Sequence, residues 1–211
     1  MTKSRLYSKF ALGTGALLLF LLLAFLVSHH TTLITTIDQG AINLLHPLVT
    51  PTLTAVIAFI SNLASPAMMT VYSLIIAVFL GRYHEWYTGL NFLLTFSALT
   101  LLNHVVKELI ERPRPLHRLV SIGGFSFPSG HTFSTLILVF TGLALLKKFQ
   151  VSPQKLHIVL VVGWLVIILI AFTRVYLHAH FVSDTVGSLL LATASWQLLT
   201  ACFAVTGHQL I

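Results

Sequence analysis

Three short clusters in this chain hold residue types that together could break a phosphate ester. Six residues separate Lys107 from Arg114-Pro115, Pro128-Ser129-Gly130-His131 follows, and Arg174 precedes His180 and Asp184. A phosphate monoester needs several positive donors, and its transition state spreads charge over three equatorial oxygens. Arginine offers a planar fork that holds two oxygens at once, and lysine a mobile point charge. Lys107, Arg114 and Arg174 supply both. Ser129-Gly130 precedes a predicted helix, where free backbone amides and the helix dipole favour an anion. A glycine there lets the anion approach the main chain closely.

His180 and Asp184 are four residues apart and, on a helix, would share a face. A carboxylate so placed fixes the tautomer of the imidazole and stabilises the imidazolium, leaving the other ring nitrogen to attack. Either nitrogen can play that part on sequence grounds. His131, at the start of a different helix, suits a group that acts first as acid and then as base. Each fragment alone has a plainer reading. The cations could be snorkelling anchors at span ends, Pro-Ser-Gly-His a loop with an N-cap serine, and His180 with Asp184 an ordinary helix-face pair.

The elements that must position these residues are membrane helices. Of 211 residues, 56% are apolar and 8% charged, with mean hydropathy +0.93. Soluble domains carry about a quarter charged residues, and a bilayer span takes about 20 residues of helix. The fold class is therefore all-α, an integral membrane bundle. The net charge of +7 does not point to nucleic acid, because the cations lie between apolar spans instead of forming a basic face. Cys202 is the lone cysteine, which excludes an intrachain disulfide, and it is expected to be a buried thiol.

Six spans are predicted. The first is Phe10 to Val27, too long and without the cleavage site of a signal peptide. An external loop and an interfacial helix run to Ser65, divided by Pro47 and Pro51. The remaining spans are Pro66–Leu80, Trp86–Val106, Gly130–Leu146, Leu156–Thr173 and Thr185–Val205. A polar loop from Glu108 to Ser129 joins the third to the fourth. With no internal repeat, residues 1–211 read as a single domain whose motifs lie within 107–184.

Lys and Arg favour the cytoplasmic side. Placing the N-terminus inside puts Lys3, Arg5, Lys9, Arg82, Lys147, Lys148 and Lys155 there. Lys107, Arg112, Arg114, Arg118 and Arg174 fall outside, so both chain ends are expected in the cytoplasm and all three clusters on the extracytoplasmic face of the plasma membrane.

The runs Lys107-Glu-Leu-Ile-Glu-Arg-Pro-Arg114-Pro115, Pro128-Ser-Gly-His131 and Thr173-Arg174-Val-Tyr-Leu-His-Ala-His180-Phe-Val-Ser-Asp184 resemble the three signature motifs of the type 2 phosphatidic acid phosphatases. The resemblance implies a metal-independent lipid phosphatase, with no cofactor, working through a phosphohistidine. His180 would be the nucleophile, Asp184 its orienting partner, and His131 the acid that protonates the leaving oxygen. Lys107, Arg114, Ser129, Gly130 and Arg174 would hold the phosphate. Thr173 stands where the family usually has serine, and His178 where a small residue is common. The implied substrate is a phosphorylated lipid of the bilayer: phosphatidylglycerophosphate, phosphatidic acid or undecaprenyl diphosphate.

Other residues compete for attention. His178 and His180 lack a third metal ligand. His104 could face the pocket but is read as packing on or bonding to a neighbouring helix. Arg112 and Arg118 could touch a headgroup or second phosphate but are read as solvated loop cations, and Phe125 and Phe127 either line a lipid entrance or anchor the loop. Two further functions use parts of the inventory. A phosphotransferase would use all of it with another alcohol as acceptor. An anionic-lipid binder or transporter would explain the cations but not the paired histidines and carboxylate.

Overall fold

Helix α1 (Lys3–Ser28) takes in the whole N-terminal apolar run together with the basic residues before it. It belongs to a computed structural model that describes residues 3–206, all helix and connecting turns, with no strand among the described residues. After α1 come two short helices, α2 (Thr32–Leu45) and α3 (Pro51–Leu63), linked by a 3-10 turn at His46–Leu48. The sequence predicts one interfacial helix here; Asp38 and the apolar residues Ile34 and Ile42, spaced one turn apart, make a buried face that supports a second.

The remaining helices are α4 (Pro66–Tyr83), α5 (Trp86–Ile110), α6 (Gly130–Lys148), α7 (Pro153–Tyr176) and α8 (Val182–Val205). Proline opens α3, α4 and α7, where its missing N–H costs nothing. Thr50 and Ser65 cap α3 and α4, each hydroxyl accepting an N–H from three residues on at 3.3 Å. The sequence places the six spans correctly and makes several too short. Helices α5, α7 and α8 run past their apolar stretches, so that Lys107, Arg174 and Asp184 stand within helical turns. Helix α5 stops at Glu111, whose left-handed φ of 52° satisfies the C-terminal cap before Arg112-Pro113.

Six of these helices are long and apolar enough to span a bilayer. Leu18, Val78 and Ile168 are exposed along them, as suits surfaces that meet hydrocarbon. Cys202 is exposed on α8 as well, not buried as the sequence predicts, because its side chain points away from the helix face packed on the bundle. Small residues let the helices approach closely. A Cβ at Gly13 would lie 2.8 Å from Leu198 on α8, and one at Gly163 would lie 2.7 Å from Val139 on α6. A core of Phe92, Phe96, Phe133, Leu136, Ile137 and Ile167 fills the centre.

Successive spans alternate in direction. The C-terminal ends of α5 and α7 therefore meet the N-terminal ends of α6 and α8 at one end of the bundle. Two backbone bonds join these ends, Ser129 N–H to the Asp184 carbonyl at 3.2 Å and Leu119 N–H to the Leu177 carbonyl at 3.1 Å.

Candidate active site

All eight residues singled out in the sequence come to this one end. His180 lies in the turn between α7 and α8 and is 1% exposed. It does not share a helical face with Asp184, as the four-residue spacing predicts, because α8 begins only at Val182. Asp184 instead sits in the first turn of α8. Its Oδ2 accepts the Phe181 N–H at 2.9 Å and lies 3.3 Å from His180 Nδ1. The carboxylate thus caps the helix and holds the ring through one atom.

This contact favours one of the two tautomers that the sequence leaves open. With Nδ1–H donating to Asp184, Nε2 carries the lone pair, and Arg114 Nη1 approaches it at 3.1 Å. Burial, together with the positive charges of Arg174, Lys107 and Arg114, pushes the His180 imidazole well below its ordinary pKa. A shift in this direction favours the neutral ring, the form in which a ring nitrogen can attack.

The cations are held in different ways. Lys107 Nζ donates to the carbonyls of Phe125, Ser126 and Pro128 at 3.0, 3.2 and 2.7 Å, and so ties α5 to the loop that leads into α6. Arg114 Nε donates to the Gly123 and Gly124 carbonyls, and its Nη1 donates to the Ala179 carbonyl at 2.7 Å. Burial draws the guanidinium below its usual pKa, with Asp184 opposing the shift. Arg174 is 2% exposed; Nη1 donates to Ser61 Oγ at 2.7 Å, while Nε and Nη2 are buried with no acceptor among the described residues. Buried donors left unpaired are costly, and two on one guanidinium mark a place for an anion.

Ser129 is the N-cap residue of α6, but its side chain makes no cap; its Oγ accepts from Thr132 Oγ1 at 3.2 Å. The first-turn amides beginning at Gly130 thus have no side-chain cap in front of them. A Cβ at Gly130 would sit 3.4 Å from Pro66, which shows how closely α4 and α6 approach there. His131, on the first turn of α6, is buried within electrostatic reach of Arg174 and His180. Asn103, one turn before Lys107, is also buried, and its Oδ1 has no partner among the described residues. Phe127 is an anchor and not an entrance: it is fully buried against Phe20 at 5.7 Å.

The residue that sequence reasoning discounts most wrongly is Arg112. It is 7% exposed, and its guanidinium reaches Asp184 Oδ1 at 2.5 Å, Asp38 Oδ2 at 2.7 Å and Ser183 Oγ at 2.7 Å. It is a buried ion-pair residue and not a solvated loop cation. Asp38, from α2, is a second member that the spacing of the motifs does not reveal. The one signal available was a lone carboxylate ahead of a long uncharged stretch.

His178 takes up a left-handed conformation, φ 49°, at the position where the motif usually has a small residue. Its ring is buried beside His46, with centroids 6.5 Å apart, and Nδ1 lies 3.2 Å from the His117 carbonyl.

A neutral imidazole oriented by a carboxylate, a second histidine and several cations can carry out phosphoryl transfer by nucleophilic and acid–base catalysis. Similarity to known proteins agrees. The chain is 32% identical over 173 residues to phosphatidylglycerophosphatase B of Bacillus subtilis, covering 81% of this chain and 84% of that one. Its structure matches the crystal structure of a transmembrane PAP2-type phosphatidylglycerolphosphate phosphatase from Bacillus subtilis with a TM-score of 0.80. That match is at 29% identity and covers 93% of this chain and 94% of the other. Aquifex aeolicus LpxE shares the fold, with a TM-score of 0.57 at 23% identity over 77% of this chain and 94% of that one. The PAP2 superfamily model matches residues 86–207, which contain all three motifs, and the chain belongs to that superfamily as a membrane-embedded phosphatase.

Proposed function

We propose that the protein hydrolyses the terminal phosphate monoester of phosphatidylglycerophosphate at the extracytoplasmic face of the membrane. The observation that carries the reaction is His180 itself, with Nδ1 on Asp184 and Nε2 turned toward the Arg114 guanidinium. The choice of lipid is supported by the activities named for the similar proteins of Bacillus subtilis. The choice of face is supported by Arg82, Lys147, Lys148 and Lys155, which fall at the helix ends opposite the site.

In the first step the His180 Nε2 lone pair forms a bond to phosphorus. The bond from phosphorus to the lipid oxygen breaks with its electron pair, and His131 gives that oxygen a proton. In the second step a water oxygen attacks phosphorus and loses its proton to His131. The N–P bond breaks, its electrons return to Nε2, and inorganic phosphate leaves. Arg114, Arg174 and the amides after Ser129 neutralise the equatorial oxygens, and Lys107 adds its field from the carbonyl cradle. Asp184 stabilises the charged ring of the intermediate.

The test is phosphate release by the purified, detergent-solubilised protein with EDTA present. Phosphatidylglycerophosphate, phosphatidic acid and undecaprenyl diphosphate form the panel, with His180→Ala as control. The expected result is histidine-dependent release that is fastest on phosphatidylglycerophosphate and indifferent to EDTA. Turnover by folded His180→Ala at the wild-type rate sinks the nucleophile assignment. Loss on chelation, restored by a divalent metal, sinks the metal-free route. A faster rate on either other lipid moves the substrate.

A further inference from the structure

Asp38, Arg112 and Asp184 form a buried row that ends on His180. Asp38 is 1% exposed and Asp184 is fully buried. Every carboxylate oxygen in the row acts as an acceptor. Asp38 Oδ1 accepts the Ser183 N–H at 2.9 Å, and its Oδ2 accepts the Ser183 hydroxyl at 2.6 Å and Arg112 at 2.7 Å. Asp184 Oδ1 accepts from Arg112, and Oδ2 accepts the Phe181 N–H and faces His180 Nδ1. Arg112 also lies 4.2 Å over the Phe181 ring. No oxygen in the row needs a proton to make its contacts, and the guanidinium between them stays charged.

The charges decide what Asp38 does. Arg112 against Asp184 alone would be a neutral pair and would leave His180 facing little net charge. With Asp38 added, two carboxylates flank one guanidinium, and the row carries a net negative charge. That charge matters most when the ring becomes cationic on bonding to phosphorus. The groups facing His180 from the other elements are Lys107 of α5, the loop Arg114, His131 of α6 and Arg174 of α7, and none of them is an anion. We propose that Asp38 is a positioning residue for the reaction: by balancing Arg112 it leaves Asp184 an effective counter-charge for the His180 ring. The proposal rests on the reading of His180 as the nucleophile. It concerns a residue of α2, outside the 86–207 segment that defines the family.

Asp38→Asn keeps the size of the side chain and removes the charge. Its expected effect on purified protein in detergent micelles is a fall in kcat of roughly tenfold to a hundredfold, with KM for phosphatidylglycerophosphate held within about twofold. Arg112→Gln added to Asp38→Asn returns the row to a net negative charge. The double variant is therefore expected to recover most of the lost kcat. Orthovanadate, whose five-coordinate form bonds to the ring nitrogen as the transition state does, gives a readout independent of turnover. Asp38→Asn should weaken vanadate binding by about the same factor as kcat and leave inorganic phosphate binding unchanged, since bound phosphate puts no charge on the ring.

Wild-type kcat in folded Asp38→Asn overturns the proposal, and so does equal weakening of vanadate and phosphate. A folded double variant no better than Asp38→Asn also overturns it and leaves Asp38 as a fastener of α2 to α8. If Asp38→Asn alone does not fold, the double variant decides by its ratio of vanadate to phosphate affinity: near wild type supports the proposal, and a lower ratio overturns it. If the wild type releases no phosphate from any lipid, the proposed function fails by itself, and the vanadate-to-phosphate ratio still tests Asp38.

Discussion

Arg114 Nη1 and His180 Nε2 lie 3.1 Å apart, and the guanidinium N–H points at the lone pair that would attack phosphorus. The same nitrogen donates to the Ala179 carbonyl at 2.7 Å, while Nε is held by the Gly123 and Gly124 carbonyls. Arg114 is therefore a fixed fork at the His180 ring, and in the proposed reaction an incoming phosphate oxygen must draw the N–H away from it. A lysine cannot reach all these acceptors from one planar group.

Arg114→Lys should lower kcat/KM by roughly tenfold to a hundredfold, from hydrogen bonds to charged groups worth about 1.5–3 kcal/mol. Both parameters should move, since the fork serves binding as well as the transition state. Steady-state kinetics in detergent micelles would show it; a change confined to KM would confine Arg114 to ground-state binding.

The buried, neutral His180 makes stability depend on pH. Its folded pKa is depressed, so between that value and the unfolded value of about 6.5 only the unfolded chain binds the proton. The unfolded state then holds more protons, and stability falls as the pH drops below about 6.5, by up to about 1.4 kcal/mol per pH unit for this one group. His180→Gln has no such group. The wild-type Tm should therefore fall more steeply than that of the variant from pH 7 to pH 5, and equal slopes would show that the ring does ionise in the fold.

Gly187 is the seat of Phe127. A Cβ there would lie 2.5 Å from the ring, so Gly187→Ala must push Phe127 off α8 and shift the backbone that carries Ser129. The expected cost is about 1–3 kcal/mol of stability, with a fall in kcat from the displaced phosphate cradle. Thermal unfolding followed by gel filtration, alongside turnover, separates the two effects; unchanged kcat with a lowered Tm would show that the cradle absorbs the shift.

Ser61 is the partner of the most deeply placed site arginine. Removing its hydroxyl leaves Arg174 Nη1 without an acceptor and frees the guanidinium to change rotamer. Ser61→Ala should raise KM by roughly tenfold, in line with a lost hydrogen bond to a charged group. Kinetics on a short-chain substrate would measure it directly, and a KM equal to wild type would mean that α7 alone positions Arg174.

The spacing of charged residues was enough to find the residues that the fold gathers at one end, because each motif packs its groups within a turn or a helix end. His180 and Asp184 show the limit of that logic. They do touch, but through a turn and a helix cap, and not across a helical face. Arg112 shows another limit. Two residues from Arg114 in the same loop, it looks like any interfacial cation, and only tertiary packing turns it inward onto carboxylates 72 and 74 positions away. Asp38 and Ser61 were illegible for the same reason, since contacts between distant helices leave no periodic trace in either. The position of His178 has a clearer physical logic: its left-handed backbone favours residues without a bulky Cβ substituent.

Two of the site's arginines are anchored by residues that precede the family-defining segment, Arg112 by Asp38 and Arg174 by Ser61. The smallest stretch that carries every signature residue is thus smaller than the working catalyst. Transplanting residues 86–207 behind a foreign membrane anchor would carry over the proposed nucleophile and phosphate ligands but not the groups that hold those arginines. Relatives that share the motifs and differ in the first 85 residues would then differ in rate, even with identical catalytic side chains.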